Sequence, residues 1–259
     1  MIDFPDSATF AAMFADRRFA ATVAICALAG AVRGFSGFGS ALIYVPLVSA
    51  VYGPRVAAAS MLLIDFIPGV VFALGAWRQA VWREILPMAA AAILAAQFGT
   101  LILLYVDPTI LRWSISIVIG ALLIVLASGW RYHGKPLVGH TIGVGLVAGL
   151  MGGAVQISGP PVILYWLGSM HETAVVRANF ISYFSVFAAA ATATYAIHGL
   201  LTPLAIALAI VLTPLYVVSS WIGARFFGHS SDIAYRRIAY VIIAVAAIGG
   251  APIFDQIGR

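Results

Sequence analysis

Charged residues are scarce in this chain of 259 residues. Asp, Glu, Lys and Arg together make up 9% of it, whereas 63% of the residues are hydrophobic and the mean hydropathy is +1.06. An ordinary soluble domain is about a quarter charged, so this chain has too few polar side chains to cover a surface that faces water. The composition excludes such a domain and indicates an integral protein of the lipid bilayer.

Cysteine pairs and metal-ligand patterns are also missing from the sequence. Cys26 is the single cysteine, so the chain has no internal disulfide framework. The five histidines fall near the ends of apolar runs, and no pair has the helical spacing of metal ligands. We therefore predict no metal site and no cofactor, and we do not expect an enzyme.

The excess of basic residues has an explanation in the membrane. The formal net charge is +5, and Arg and Lys are concentrated in short connectors such as "WRQAVWRE" at 77–84 and "WRYHGKP" at 130–136. Short basic connectors are typical of the cytoplasmic side of a membrane protein. We expect a multi-pass protein of the cell inner (plasma) membrane, with no nucleic-acid partner and an oligomeric state that the sequence leaves open.

Apolar runs recur along the chain in two similar series. Each series opens with a glycine-broken apolar region and continues with three ordinary runs, and a span takes about 20 residues. The runs cover about 19–52, 54–76, 85–106 and 110–130, then about 137–168, 174–198, 202–227 and 235–254. The predicted fold is an all-α polytopic membrane protein with one domain over 1–259, in which four-segment repeats occupy about 19–130 and 137–254.

A constant offset relates small residues of the two series. Gly30 and Gly149 are 119 residues apart (149 − 30), as are Gly34 and Gly153 (153 − 34). Interrupted apolar segments at corresponding positions of two halves indicate the binding site of a transporter. The whole chain is therefore interpreted as a single membrane transporter domain.

The two interruptions read "RGFSGFGSALIYVP" at 33–46 and "GGAVQISGPP" at 152–161. Glycine favours irregular backbone, and irregular backbone at membrane depth must be buried in protein or face a water-filled cavity. We predict that each helix opens and that a new one starts, with free N–H groups that attract an anion. The alternative is that these glycines only let helices pack closely. The predicted substrate-binding groups of the interruptions are Gly37, Gly39, Ser40, Gln156, Ser158 and Gly159.

Longer stretches around the interruptions carry a family resemblance. "GAVRGFSGFGSALIYVPLV" and "GLVAGLMGGAVQISGPPVILYWL" resemble the two glycine-rich signatures of the sulfite exporter TauE/SafE family of membrane permeases, and "VRANFISYF" at 176–184 resembles a segment that follows the second signature. The resemblance implies an anion permease that exports sulfite or sulfur-containing organic acids. The second signature departs from the commoner glycine triplet by reading "QISGPP".

Four polar or charged residues within or beside the runs are further candidates. Arg33 is either a counter-charge for the anion or an arginine that reaches an interface, and Asn179 is a substrate-binding candidate at the repeat position of Ser60. Asp65 is either a proton carrier or the partner of Arg33 or Arg177. Arg177 is otherwise an interfacial arginine.

The function predicted from these features is secondary export of a small anion. A passive anion channel is the alternative within the same class, and a rhomboid-like serine protease, suggested by "GFSG" at 34–37, is a third reading. Coupling to protons or sodium is left open.

The membrane topology is also open in the sequence. If the broken regions turn back, the two halves are inverted, and the basic residues other than Arg33 divide eight to five between the two sides of the membrane. If the broken regions cross, these residues divide seven to six. The first division fits the positive-inside rule better. The group of eight contains Arg78, Arg83, Arg131, Lys135, Arg177, Arg225, Arg236 and Arg237, and the group of five contains Arg17, Arg18, Arg55, Arg112 and Arg259.

Overall fold

The computed structural model describes residues 3–36, 39–129, 137–169, 171–226 and 232–253, and these ranges are helical without any strand. The helices are α1 (Ser7–Ala15), α2 (Arg17–Ser36), α3 (Ser40–Tyr52), α4 (Pro54–Ala76), α5 (Trp82–Tyr105), α6 (Pro108–Ala127), α7 (Val138–Val155), α8 (Gly159–Leu167), α9 (Thr173–Ile197), α10 (Pro203–Phe226) and α11 (Asp232–Gly250).

Helix boundaries follow local sequence signals. α4 and α6 each begin with proline, which lacks an N–H and has a fixed φ suited to the first helical position. The Asp107 side chain caps α6 by accepting hydrogen bonds from the backbone N–H groups of Thr109 (2.8 Å) and Ile110 (3.3 Å). Gly53, with φ +86°, separates α3 from α4 in a conformation that favours glycine.

Five helices within the described ranges are long and apolar enough to cross a membrane. They are Trp82–Tyr105, Pro108–Ala127, Val138–Val155, Ala174–Ile197 and Pro203–Arg225, and shorter apolar helices cover Ser40–Tyr52 and Ile238–Gly250. The prediction of an all-helical, multi-pass membrane protein is confirmed. The division into two repeats and their inversion stay predictions.

Both broken regions turn back on themselves. Arg18, at the start of α2, donates a hydrogen bond to the carbonyl of Val51 (3.2 Å) and lies 5.1 Å from the ring centre of Tyr52, at the end of α3. Near the start of α7, the hydroxyl of Thr141 lies 2.6 Å from that of Tyr165, near the end of α8. Each pair of helices therefore forms a hairpin: hairpin 1 is α2–α3 and hairpin 2 is α7–α8.

The long helix of each hairpin packs on a helix from the other half of the chain. α2 packs on α10, and α7 packs on α5. The remaining contacts follow the same exchange of partners, since α3 packs on α11 and α6 on α8, whereas α4 and α9 pack on each other. Two related halves would produce this pattern.

Glycines make these long helices approach closely. A Cβ on Gly34 would lie 1.9 Å from the carbonyl oxygen of Ser220 in α10, and a Cβ on Gly153 would lie 2.2 Å from that of Ala96 in α5. Similar clashes would arise at Gly30, Gly99, Gly149 and Gly223. The alternative that glycines permit close packing therefore holds for the pairs related by offset.

Candidate functional site

Both short hairpin helices begin where the sequence predicts a new helix. α3 starts at Ser40 after Gly39, whose φ of +96° requires left-handed backbone, and α8 starts at Gly159 after Ser158. Neither Gly39 nor Ser158 caps its helix with a side chain. The first-turn N–H groups of a helix have no partner within the helix, so the start of α3 leaves donors for a ligand. At the start of α8, Pro160 and Pro161 have no N–H, so the backbone donors there are those of Ser158 and Gly159. Gly37 lies outside the described residues.

Gly159 differs from the packing glycines. A Cβ at this position would lie 3.8 Å from Cδ1 of Ile163 and 4.0 Å from Cζ of Phe184, which are ordinary contact distances. Packing therefore does not demand glycine here. The small residue leaves backbone N–H groups open to close approach, as an anion site requires.

A polar cluster lies between the helices of hairpin 1 and its neighbours. Nη1 of Arg33, in the last turn of α2, donates a 2.8 Å hydrogen bond to Oδ2 of Asp65 in α4. The phenol of Tyr216 in α10 donates a 2.6 Å hydrogen bond to Oδ1 of the same carboxylate. Asp65 thus uses both of its oxygens, and Arg33 rather than Arg177 is its partner.

The carboxylate of the cluster lies at the middle of α4. Asp65 is 11 residues from either end of α4 (65 − 54 and 76 − 65), which corresponds to about 16 Å on each side at the rise of an α-helix. The side chains of Arg33 and Asp65 remain 33% and 29% exposed. Charges at this depth occur next to water-filled cavities or inside protein.

Ser40 connects this cluster to the start of α3. It is buried, with 2% of its surface exposed, and its hydroxyl interacts with the phenol of Tyr216. The first residue of α3 and the side chains of Arg33 and Asp65 are therefore joined through one phenol. This arrangement places donors of three types together: a guanidinium, hydroxyl groups and backbone N–H groups.

Hairpin 2 presents amide and hydroxyl groups rather than charges. Gln156 has φ +59° in the turn that follows α7. Its Nε2 atom is buried without a hydrogen-bond partner in the described chain. Ser158 is 7% exposed at the start of α8. Val155 and Ile157, on either side of Gln156, belong to the same buried apolar cluster as Leu42–Val45 of α3, so the two hairpins share one core.

The remaining predicted site residues lie elsewhere on α9. Asn179 is fully buried, and its Oδ1 accepts a 2.8 Å hydrogen bond from the backbone N–H of Val81, just before α5. Arg177 is exposed near the start of α9. Neither residue joins the cluster around Asp65.

Tyr216 was missed by the sequence analysis. It lies inside an apolar run, 151 residues from Asp65, and a tyrosine in such a run carries no motif of its own. Its hydroxyl is the one signal, because a buried phenol usually has a hydrogen-bond partner.

The charged pair of this cluster is specific to the first half of the sequence. At the repeat offset of 119, Arg33 and Asp65 correspond to Gly152 and Phe184 (33 + 119 and 65 + 119). At the offset of 124 that relates Gly99 to Gly223 (223 − 99), Tyr216 corresponds to Ala92 (216 − 124). Gly152 and Phe184 thus stand in the second half where the first has its two charges, and Ala92 stands in the first half where the second has Tyr216.

Comparison with known proteins adds a family. The family model described as "Sulfite exporter TauE/SafE" matches residues 22–249, a range that includes both hairpins and the polar cluster. The chain is 25% identical over 220 residues to the "Probable sulfite/organosulfonate exporter TauE" of Cupriavidus necator, which covers 82% of this chain and 86% of that relative. No solved structure matches the chain.

Proposed function

Because this chain belongs to the sulfite exporter TauE/SafE family, we propose that it is a secondary transporter in the cell inner membrane that exports a small anion, sulfite or a sulfur-containing organic acid. The name of the Cupriavidus necator relative includes both sulfite and organosulfonates. These anions share a sulfur atom that carries several acceptor oxygens, so a site rich in donors suits the whole class.

The cluster around Asp65 is the observation that carries this proposal. It combines an ion pair at the middle of α4 with partial exposure and with the uncapped start of α3. A guanidinium has five N–H donors, and the contact with Asp65 is made through Nη1. In the proposed site, the anion binds the remaining donors of Arg33 and the N–H groups that follow Gly39, next to Ser40, whose hydroxyl contacts Tyr216.

Gln156, Ser158 and Gly159 form the opposite wall of the proposed site. The start of α8 offers the N–H groups of Ser158 and Gly159, since Pro160 and Pro161 have none, and the unpartnered Nε2 of Gln156 is a further donor. Residues of both hairpins also belong to one buried apolar cluster. We therefore place the substrate between the starts of α3 and α8.

Neutralisation of Arg33 by Asp65 fits a carrier that must release its substrate. The pair has no net charge, so attraction depends on oriented N–H and O–H dipoles and on the helix starts. A potential that is negative inside favours export of one negative charge by about 2.3 kcal/mol per 100 mV. Electrogenic export therefore needs no dedicated proton or sodium site, and we assign Asp65 the role of orienting Arg33.

The hairpins also favour inverted halves. Hairpin 1 and hairpin 2 both turn back, and α4, α5 and α6 cross the membrane three times between the two hairpins. Because this number is odd, the hairpins enter from opposite faces of the membrane. The group of eight basic residues then lies on one face of the membrane, and it includes those of the connectors at 78–83 and 131–135. By the positive-inside rule this face is cytoplasmic.

Flux through reconstituted vesicles tests the proposal. We expect the flux of sulfite and methanesulfonate to saturate with concentration. A potassium diffusion potential should accelerate this flux, and so should the same anion on the opposite side of the membrane. A passive channel would show no such stimulation by exchange. Arg33→Gln should reduce the flux at least tenfold, whereas the exposed Arg225→Gln, which removes an arginine stacked on Trp221 at 3.7 Å, should not. Equal flux in Arg33→Gln and wild type would refute the site.

A further inference from the structure

One face of α9 carries three buried polar groups whose hydrogen-bonding capacity is unused. Nδ2 of Asn179, Oγ of Ser182 and Oη of Tyr183 have no hydrogen-bond partner in the described chain, and all three residues are 0% exposed. Residues three and four positions apart lie on the same face of a helix. Buried polar groups are normally hydrogen-bonded, and each unmet group costs about 1–3 kcal/mol. Three on one face therefore require an explanation.

The face is separate from the cluster around Asp65. Ser185 donates a 3.2 Å hydrogen bond to the carbonyl of Gly69, four residues beyond Asp65, and Asn179 contacts Val81, beyond the end of α4. α4 and α9 are therefore antiparallel. Asn179 lies six residues from Ser185, so ten helical steps separate its level from that of Asp65, or about 15 Å.

The surroundings of this face are suited to an anion. Oδ1 of Asn179 is occupied by the N–H of Val81, so the free end of its amide can only donate. Glu84 is a nearby carboxylate whose two oxygens both have partners. Oε2 of Glu84 accepts a 3.2 Å hydrogen bond from Nε1 of Trp166, and Oε1 lies 2.9 Å from Nε2 of His171. The Trp166 ring, 5.9 Å from that of Tyr183, lies between the carboxylate and the polar face.

From this geometry we propose that Asn179, Ser182 and Tyr183 form a second anion-binding station, which takes a sulfonate or sulfite on the cytoplasmic side before it reaches Arg33. The station rests on the proposed function and deepens it. It lies on the face of the protein to which the basic connectors at 78–83 and 131–135 are assigned. Its donors favour an anion, since the Glu84 carboxylate is already hydrogen-bonded. None of the three side chains carries a full charge, so the bound anion can move on.

Binding of methanesulfonate to the purified protein tests the station. Titration calorimetry should show two binding events in the wild type, one of which becomes about tenfold weaker in Ser182→Ala and in Tyr183→Phe, because each loses a hydrogen bond to a charged ligand. Thr192→Val is the matched control on α9, since the Thr192 hydroxyl is satisfied by the carbonyl of Ala188 at 2.7 Å. Its binding should stay within twofold of the wild type.

Thermal stability without the anion separates binding from folding. Ser182→Ala and Tyr183→Phe each remove a buried hydroxyl that has no hydrogen-bond partner within the described chain. The melting temperature of these variants should therefore stay unchanged or rise. Weaker binding with unimpaired stability supports the station. Unchanged binding, or a loss of binding that only parallels a loss of stability in both variants, overturns it, and so does a single binding event in the wild type. Failure of vesicle flux with intact binding would instead overturn the proposed function.

Discussion

The phenol of Tyr216 donates a 2.6 Å hydrogen bond to Oδ1 of Asp65 and so joins α10 to α4 across 151 residues of sequence. α4 belongs to the first half of the chain and α10 to the second. The bond makes the position of Asp65, and through it that of Arg33, depend on contact between the halves. Any motion of one half relative to the other would therefore shift Asp65 and Arg33 at the proposed site.

Removal of this hydroxyl should loosen the site without removing its charges. In Tyr216→Phe, the ring is kept but one carboxylate oxygen of Asp65 loses its donor. We expect the free energy of unfolding to fall by about 1.5–3 kcal/mol, the range for a hydrogen bond to a charged group, and the anion affinity to fall with it. Tyr105→Phe, at a residue 82% exposed, is the control in chemical unfolding and flux measurements. Equal stability of the two variants would contradict the assignment.

Replacement of Asp65 by asparagine should act mainly on folding and affinity. Removal of one partner of a buried ion pair costs about 3–5 kcal/mol, and this partly exposed pair should cost less. Asp65→Asn should therefore lower the yield of folded protein or the affinity more than it alters the pH dependence of flux.

Restoring neutrality gives the control for this prediction. The double variant Arg33→Gln/Asp65→Asn leaves no unpaired charge, so it should recover the yield but not the transport. If Asp65→Asn instead abolished proton-driven transport and left anion exchange intact, Asp65 would be a coupling residue and our assignment would be wrong.

Leucine at the starts of the short helices should block transport. At Gly159 there is room for a Cβ, so Gly159→Leu should insert and fold while its side chain covers the N–H groups of α8. Gly39→Leu should also block flux, and its positive φ adds a stability cost of about 1–2 kcal/mol. Normal flux in both variants would rule out a site at the helix starts.

Gly153→Ala provides the contrast to Gly159→Ala. The new methyl group of Gly153→Ala would meet the backbone of α5 at 2.2 Å, so this variant should lose stability, whereas Gly159→Ala should melt near the wild-type temperature. Thermal melting of both proteins in detergent measures the difference. Similar losses would mean that Gly159 is also a packing residue.

Reporter fusions can determine the orientation of the proposed topology. A fusion at residues 131–135 should report the cytoplasm, and so should one at 78–83, whereas a fusion after Tyr105 should report the outside. The basic content of the first two loops is the reason. A periplasmic signal from residues 131–135 would reverse this orientation.

Much of the fold follows from the pattern of apolar runs. The run at 54–76 coincides with α4, and glycine and proline signals place the starts of α3 and α8 at Ser40 and Gly159. Local backbone preferences decide such boundaries, so they are visible in sequence. The return of each hairpin is different, because it rests on contacts such as Arg18 with Val51 between distant residues.

The site was only partly predictable for the same reason. Arg33 and Asp65 attract attention because charges are rare in apolar runs, but their pairing depends on how α2 and α4 pack. The sequence left open whether Asp65 carries a proton or pairs with an arginine, and whether that arginine is Arg33 or Arg177. Tyr216 gave no comparable signal, since its apolar ring suits a membrane helix and its hydroxyl acquires meaning only when α10 lies against α4.

The restriction of the charged cluster to one half has a consequence for the resting state. A carrier built from two related halves changes sides when one half moves against the other. Two identical halves would make both end states equal in energy. Here Arg33 and Asp65 lie in the first half, whereas Gly152 and Phe184 occupy the equivalent positions of the second half. We therefore expect the empty protein to favour one end state, so that the molecule itself acts as a rectifier.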